Sequence, residues 1–453
     1  MSLNRELSTY IQQTSYKDLP EQTVKKTKYL ILDALGVGLA GWQAPGCKET
    51  IQAISSWNRN NQTGATIMAH GLRTGPAEAA FVNSTLMHAL DFDDTLDRSA
   101  LHTMVSVLPT ALALGEVSNA SGKQLLTATI LGVDIICRLA GAINTPLSWI
   151  RTASCGSFGA AATAAKTLNL PLEQVQHSFG IVYSQTSGNA QCLIDGSLVK
   201  RMQPAFAARA GVFSAQLAQT GITGASFPFT GKYGFFNLYE GGNCETEKIT
   251  KALGQHFGIM DLSLKPYPSC RMTHGAIDSA LSLQRSNPIN INDIENITVN
   301  ASAMVADMVG KPFKLRTDPQ VDAQFSIPYT VATALIRGKL RLEDFEKEQI
   351  EDPKTQDLVK KIVVVPNSSL PQNDISSVSI TITTQSGKNY TANHDHLLGS
   401  PAAPMNNNEC LEKFNDCVNF SKRDDISQKS SAIVDLVLNL EEIDDLQQLT
   451  TLL

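Results

Sequence analysis

Residues 29–40 read YLILDALGVGLA, an apolar run broken only by one aspartate and scattered glycines. A helix that is apolar nearly all round belongs in the middle of a bundle, so this run suits a tightly packed buried helix. Outward from it, residues 77–90, 105–118, 125–142, 159–168 and 205–218 are further Ala/Leu-rich stretches of the same kind. Gly159, Ala160, Ala161, Ala162, Ala164 and Ala165 are small enough to let helices approach closely. Pro109 falls inside one of these stretches and is expected to bend or restart its helix. Residues 1 to about 265 therefore read as helical. Near Lys265 the texture changes. Residues 289–301, 361–365 and 378–384 (VSITITT) alternate apolar and polar side chains with β-branched types, the pattern of strands with one buried face. Residues 326–337 read as a helix between them, and 342–345 start another. From residue 408 the helical spacing returns, over 408–420 and 427–440. The expected fold is mainly α with a smaller α+β domain. Residues 1–264 and 396–453 form the helical part, and residues 265–395 form the inserted α+β part.

The chain has 453 residues, enough for two or three domains at roughly 100–200 residues each. Its hydrophobic fraction of 42% and charged fraction of 18% are those of a globular protein. The formal net charge is -6 and no long Lys/Arg run is present, which argues against a nucleic-acid partner. The eight cysteines form no CxxC pair, so reduced thiols are expected and a cysteine-held zinc or iron–sulfur site is not. Residues 1–20 lack the apolar core of a secretory leader. No apolar stretch reaches about 18 residues free of polar groups, so no membrane span and a cytoplasmic location are expected.

Four polar clusters could carry chemistry. Residues 88–102 (HALDFDDTLDRSALH) are the densest. On a continued helix His88, Asp91 and Thr95 would share one face, while Asp93 and Asp94 would point elsewhere. Three carboxylates in four positions repel one another. The cluster reads either as a solvated acidic loop, with or without a divalent ion, or as a carboxylate fixing an imidazole, with His102 as acid or base. The second is 195–201 (DGSLVKR). Lys200 and Arg201 precede a helix starting near Pro204, where an anionic ligand would offset both charges. An exposed basic pair is the alternative. The third is 265–274 (KPYPSCRMTH). Arg271 and His274 lie three apart, and a guanidinium is the best grip for a carboxylate. A plain linker turn is the alternative. In the fourth, 323–330 (AQFSIPYT), Tyr329 opens a helix and reads first as a core residue with a satisfied hydroxyl. His394 and His396 alternate as in a strand and read as an exposed loop. No P-loop, dinucleotide fingerprint or nucleophile elbow is present.

Seven stretches occur in a shared order: YLILDALGVGLAG (29–41), FVNSTLMHALDFDDT (81–95), HTMVSVLPTALALGE (102–116), GSFGAAATAAKTL (156–168), SQTSGNAQCLIDGSLVKRMQPAFAARAGV (184–212), KPYPSCRMTHGAIDSAL (265–281) and AQFSIPYTVATAL (323–335). As a set they resemble the MmgE/PrpD family. The resemblance implies a helical domain closed by an inserted α+β lid domain, a homodimer, and an active site between the domains. It implies that Asp91, Thr95, His102, Lys200, His274 and Tyr329 match positions of the family's decarboxylase pocket. One departure stands out. The family often has a histidine where this chain has Ile150, within Trp149-Ile150-Arg151-Thr152.

Chemistry on a carbon beside a carboxylate needs a positioned base and cations that stabilise the enolate-like charge. On this reading Lys200, Arg271 and Arg201 hold carboxylates and Thr95 contacts substrate. Asp91 orients a catalytic group, His102 shuttles the proton, and His274 or Tyr329 donates one. No nucleotide, flavin or metal is required. The expectation is a hydro-lyase of the 2-methylcitrate dehydratase kind acting on a small di- or tricarboxylic acid. An epimerase, a decarboxylase or a non-catalytic metabolite-binding dimer are the alternatives.

Overall fold

The computed structural model describes residues 2–57, 64–146, 149–316 and 319–453. The chain divides into two units. The first comprises Met1–Ala89, Asp93–Leu262 and Asn406–Leu453; the second comprises Leu90–Phe92 and Ser263–Met405.

The first unit is built of helices, with Glu21–Ala40, Pro76–His88, Met104–Val117, Gly122–Gly141, Arg151–Thr167 and Gln203–Gln219 at its centre. Nearly every side chain of Met104–Val117 and Arg151–Thr167 is buried, as all-round apolar sequence requires. Small residues set the helix spacing. A Cβ added at Gly211 would lie 2.4 Å from the Ala160 Cβ, and one at Gly159 would lie 2.3 Å from Ile136. Gly122–Gly141 is long and apolar enough to cross a membrane, yet 83% of its apolar window is buried inside the protein, which makes it a core helix. Pro109 does not restart its helix, which runs unbroken from Met104 to Val117. The ring removes one backbone hydrogen bond. Burial of every residue from Met104 to Glu116 holds the segment helical across that gap. The C-terminal helix Asn407–Phe420 is capped by Asn406 and Glu409, each side chain meeting the other's backbone N–H. It packs on Glu21–Ala40, where Gly36 makes room for Phe414.

Two short antiparallel strands, β1 (Ala65–Ile67) and β2 (Leu72–Thr74), also belong to this unit. Sequence analysis did not anticipate them, because three residues are too few to show an alternating period.

The second unit holds β3 (Ile294–Ala301), β4 (Ile362–Pro366), β5 (Val378–Thr384) and β6 (Asn389–His394), ordered β4-β3-β5-β6. The β3–β4 pair is parallel and the other two pairs are antiparallel. Burial alternates along β5, as VSITITT predicts. Ile380 and Ile382 of β5 and Ile297 and Val299 of β3 share a core with Ile277 and Ala280 of helix His274–Ser286 and with Val331 and Leu335 of helix Ile327–Arg337. The chain is mainly α with a smaller α+β part, as its sequence indicates.

Candidate functional site

In the first unit, helix Pro76–His88 ends at His88 instead of continuing through the acidic run. The expected face of His88, Asp91 and Thr95 therefore does not form. Asp93 turns back instead. Its Oδ2 lies 2.9 Å from His88 Nδ1 and 3.0 Å from His102 Nδ1. The two imidazole rings meet edge to face at 4.8 Å. Asp93 and His88 are buried, whereas the His102 side chain keeps 16% of its surface exposed.

The neighbours fix the protonation pattern. His102 Nδ1 lies 2.6 Å from the carbonyl oxygen of Asp94. A carbonyl can only accept, so the ring proton sits on Nδ1 and the lone pair of the neutral ring on Nε2. The Asp94 carboxylate accepts from Thr103 N and Oγ1 and from Met104 N, which caps helix Met104–Val117 and anchors the loop. His102 N donates to Thr152 Oγ1 at 3.1 Å. Burial pushes the His88 imidazole down to about 4, with Asp93 only partly offsetting it, so His88 is neutral near pH 7. Burial opposes charge on Asp93 too, but His102 and His88 together hold its carboxyl well below the usual range. The other carboxyl oxygen of Asp93 has no hydrogen-bond partner among the described residues.

His88, Asp93 and His102 present ligand-type atoms within 4.8 Å of one another. The N···O separations of 2.9 and 3.0 Å are hydrogen-bond lengths. A metal held by these atoms would require both Nδ1 protons to leave and those hydrogen bonds to break.

Thr95 is buried in the same loop. Lys200 lies in the 3-10 turn Leu198–Met202, near enough to His88 to disfavour its protonation. Arg201 is buried, and its Nη1 donates to the Pro45 carbonyl at 2.8 Å. Helix Gln203–Gln219 begins directly after this turn with Pro204 in its first turn. Arg151 is likewise buried, donating to the Thr145 carbonyl at 2.7 Å.

The second unit carries a cationic cluster. Asp91 adopts a left-handed backbone with φ of 51°, a conformation that Asp tolerates better than most residues. Lys265 keeps only 1% of its side-chain surface exposed. Its Nζ donates to the Asp91 carbonyl at 2.7 Å and to Asp91 Oδ2 at 3.1 Å. Gln324 Nε2 holds the Leu90 carbonyl at 2.7 Å. Arg271 Nη1 lies 3.2 Å from His274 Nδ1 and 2.9 Å from the Leu398 carbonyl. Arginine has no acceptor, so His274 Nδ1 accepts, and its Nε2–H faces the Ser269 carbonyl at 3.3 Å. His274 is fully buried. Burial, then Arg271 and Lys265, keep it neutral far below the usual imidazole range. Tyr329 sits in the core between Phe313 and Phe345, with its hydroxyl donating to the Asp344 carbonyl. Burial pushes that phenol up.

The fold thus brings His102 together with Asp93 and His88, and separately Asp91 with Lys265 and Arg271 with His274. Sequence reasoning missed Asp93, because it extended the helix past His88. It also passed over Lys265, whose partner lies 174 residues away. The one available signal for Lys265 was a lysine between an apolar run and two prolines in SLKPYP.

A model of the MmgE/PrpD N-terminal domain matches residues 5–247, and one of the MmgE/PrpD C-terminal domain matches residues 267–440. The chain is 27% identical to a cis-aconitate decarboxylase of Aspergillus terreus over 460 residues, 96% of this chain and 92% of that protein. It is 26% identical to the Homo sapiens cis-aconitate decarboxylase over 472 residues, 100% of this chain and 94% of that protein. A 2-methylcitrate dehydratase of Salmonella typhi is 24% identical over 351 residues, 74% of this chain and 72% of that protein.

Proposed function

The chain belongs to the MmgE/PrpD family and is an enzyme of the lyase class, and from that premise we propose that it releases CO2 from a small tricarboxylic acid of the cis-aconitate type. The length of the likeness supports this branch: it spans 92% and 94% of the two decarboxylases but 72% of the dehydratase. The expectation from sequence had placed water loss first.

Either branch develops negative charge on a carbon beside a carboxylate. In decarboxylation the C–CO2 bond breaks, its electron pair shifts through the adjacent double bond, and the carbon that receives the charge takes up one proton. In dehydration a proton leaves such a carbon and hydroxide departs from its neighbour. His102 is the proposed proton carrier. The single observation behind this role is that its partly exposed ring is backed by the buried carboxylate of Asp93. A positioned acid or base of this kind contributes ~10²–10⁴-fold in rate. Arg271 and Lys200 are the proposed carboxylate grips, and Asp91, ion-paired to Lys265, is proposed to orient the reacting group. Arg201 is given a lesser part, because Pro45 takes one of its N–H groups. The chemistry calls for no organic cofactor or metal.

A hydro-lyase is the second reading. Ile150 weighs against the carboxy-lyase, since the resemblance places a histidine of the decarboxylase pocket at that position, and it leaves dehydration and epimerisation open. Purified protein incubated separately with cis-aconitate and with 2-methylcitrate decides between them. Evolution of CO2 from the first supports the carboxy-lyase, and loss of water from the second supports the hydro-lyase. Binding of either acid without turnover would favour a metabolite-binding role. A homodimer is proposed on the resemblance, with light scattering as its test.

A further inference from the structure

We propose that Asp93 and His88 are positioning residues for His102, a carboxylate steadied by a second imidazole so that the working ring stays in the Nδ1–H tautomer with Nε2 as its proton-carrying atom. This rests on the reading of His102 as the proton carrier. It adds two residues that neither the motif spacing nor the resemblance assigned.

Two imidazoles share one oxygen. Both Nδ1 atoms converge on Asp93 Oδ2, at 2.9 Å from His88 and 3.0 Å from His102. A carboxylate is free to turn about its Cα–Cβ and Cβ–Cγ bonds unless its oxygens are held. His88 sits at the C-terminal end of the rigid helix Pro76–His88 and is 3% exposed, so its N–H is a fixed donor. That donor pins Oδ2 where His102 Nδ1 can meet it. Asp94 completes the cradle: its carbonyl receives the same Nδ1–H at 2.6 Å, and its carboxylate is locked on Thr103 and Met104.

His88 suits this task because it stays neutral. Burial and nearby Lys200 oppose its protonation, so the pair Asp93–His88 keeps a single negative charge. An imidazolium at His88 would cancel the negative charge that faces His102. The proton therefore moves at the partly exposed ring, while the buried ring only donates.

The arrangement predicts a graded response. Asp93→Asn leaves one accepting oxygen and removes the negative charge that faces both Nδ1–H groups. The Asp94 carbonyl still accepts from His102 Nδ1, so the tautomer should persist while the ring loses its anionic partner. In a comparable carboxylate–imidazole pair such a change costs about 10⁴-fold in kcat, and a loss of ~10²–10⁴-fold with KM little changed is expected here. His88→Gln keeps an N–H donor and should retain activity within about tenfold of wild type. His88→Phe keeps the ring volume but removes the donor, and should lose more than His88→Gln.

The test is ¹⁵N NMR of histidine-labelled wild type, Asp93→Asn, His88→Gln and His88→Phe, alongside kcat and KM on the acid that wild type turns over. The His102 resonance, identified by its absence in His102→Gln, should report Nδ1–H in wild type, His88→Gln and Asp93→Asn, with the Nδ1 signal displaced only in Asp93→Asn, where the bond to a carboxylate is lost. An Nε2–H tautomer in wild type, or an Nδ1 signal unchanged in Asp93→Asn, would overturn the proposal even if turnover is normal. If wild type turns over no polycarboxylate, the functional reading fails while the tautomer result still decides the positioning claim. Both ring signals shifting on stoichiometric zinc chloride would also overturn it, by making the cluster a metal site. Should His88→Phe fail to fold, His88→Gln and Asp93→Asn carry the test.

Discussion

In the first unit a buried carboxylate, Asp93, is shared by two imidazoles, and one of those rings reaches the surface. In the second unit two buried cations, Lys265 and Arg271, stand beside Asp91 and His274. The ammonium of Lys265 closes on Asp91, and the guanidinium of Arg271 faces a histidine that burial and then both cations keep neutral. The same residue types, Asp and His, thus serve opposite ends. Beside an anion, the partly exposed His102 ring is held through its Nδ1–H. Beside two cations, the buried His274 stays neutral and accepts a hydrogen bond that orients Arg271. A histidine's partners, more than its presence in a motif, decide whether it moves protons or holds a neighbour.

The largest expected effect breaks the first cluster at its exposed member. His102→Gln should lower turnover by ~10²–10⁴-fold while leaving the melting temperature close to wild type, as steady-state kinetics and calorimetry would show. An equal loss in a folded His274→Gln variant, with KM unchanged, would erase the distinction between the two histidines.

The second cluster should respond in stability. Lys265→Met removes the ammonium paired with the buried Asp91 carboxylate and is expected to cost about 3–5 kcal/mol in urea unfolding. Adding Asp91→Asn to it should recover part of that loss. A cost under 1 kcal/mol would mean that the ion pair is not formed as described.

The expected acid response follows from His88. Its folded pKa of about 4 lies below the ordinary imidazole value of 6.5, so the unfolded chain binds the extra proton. The associated stability is present above that ordinary value and is lost as pH falls toward the folded one, about 3 kcal/mol in all. Unfolding midpoints of wild type should drop over that window more steeply than those of His88→Gln. His274 has the same sign, being held still lower by burial and its cations. A smaller change, Arg271→Lys, keeps the charge but loses the planar fork. It should raise KM by about tenfold with little effect on kcat.

How much of this was legible varied with range. Helices apolar all round, such as Arg151–Thr167, and the alternating strand Val378–Thr384 are local patterns, and both appear where their periods place them. The resemblance identified residue types at the candidate site, but their pairing depends on backbone turns that no period encodes. Helical spacing was carried three residues beyond His88 to Asp91, where the chain has already turned left-handed, and so Asp93 was assigned to the wrong side. Lys265 looked like a linker residue because its burial is created by a distant segment. Pro109 points to a bend or restart, yet the helix runs on through it with every residue from Met104 to Glu116 buried.

The most direct test of the central claim is proton NMR in D2O of wild type and His102→Gln with saturating cis-aconitate, together with the thermal shift that each gains from that acid. The account predicts CO2 release with deuterium placed on a carbon beside a carboxylate by wild type, little of either by His102→Gln, and a similar ligand-induced rise in melting temperature for both. Wild-type rates in His102→Gln, or binding by wild type with no bond broken, would contradict it.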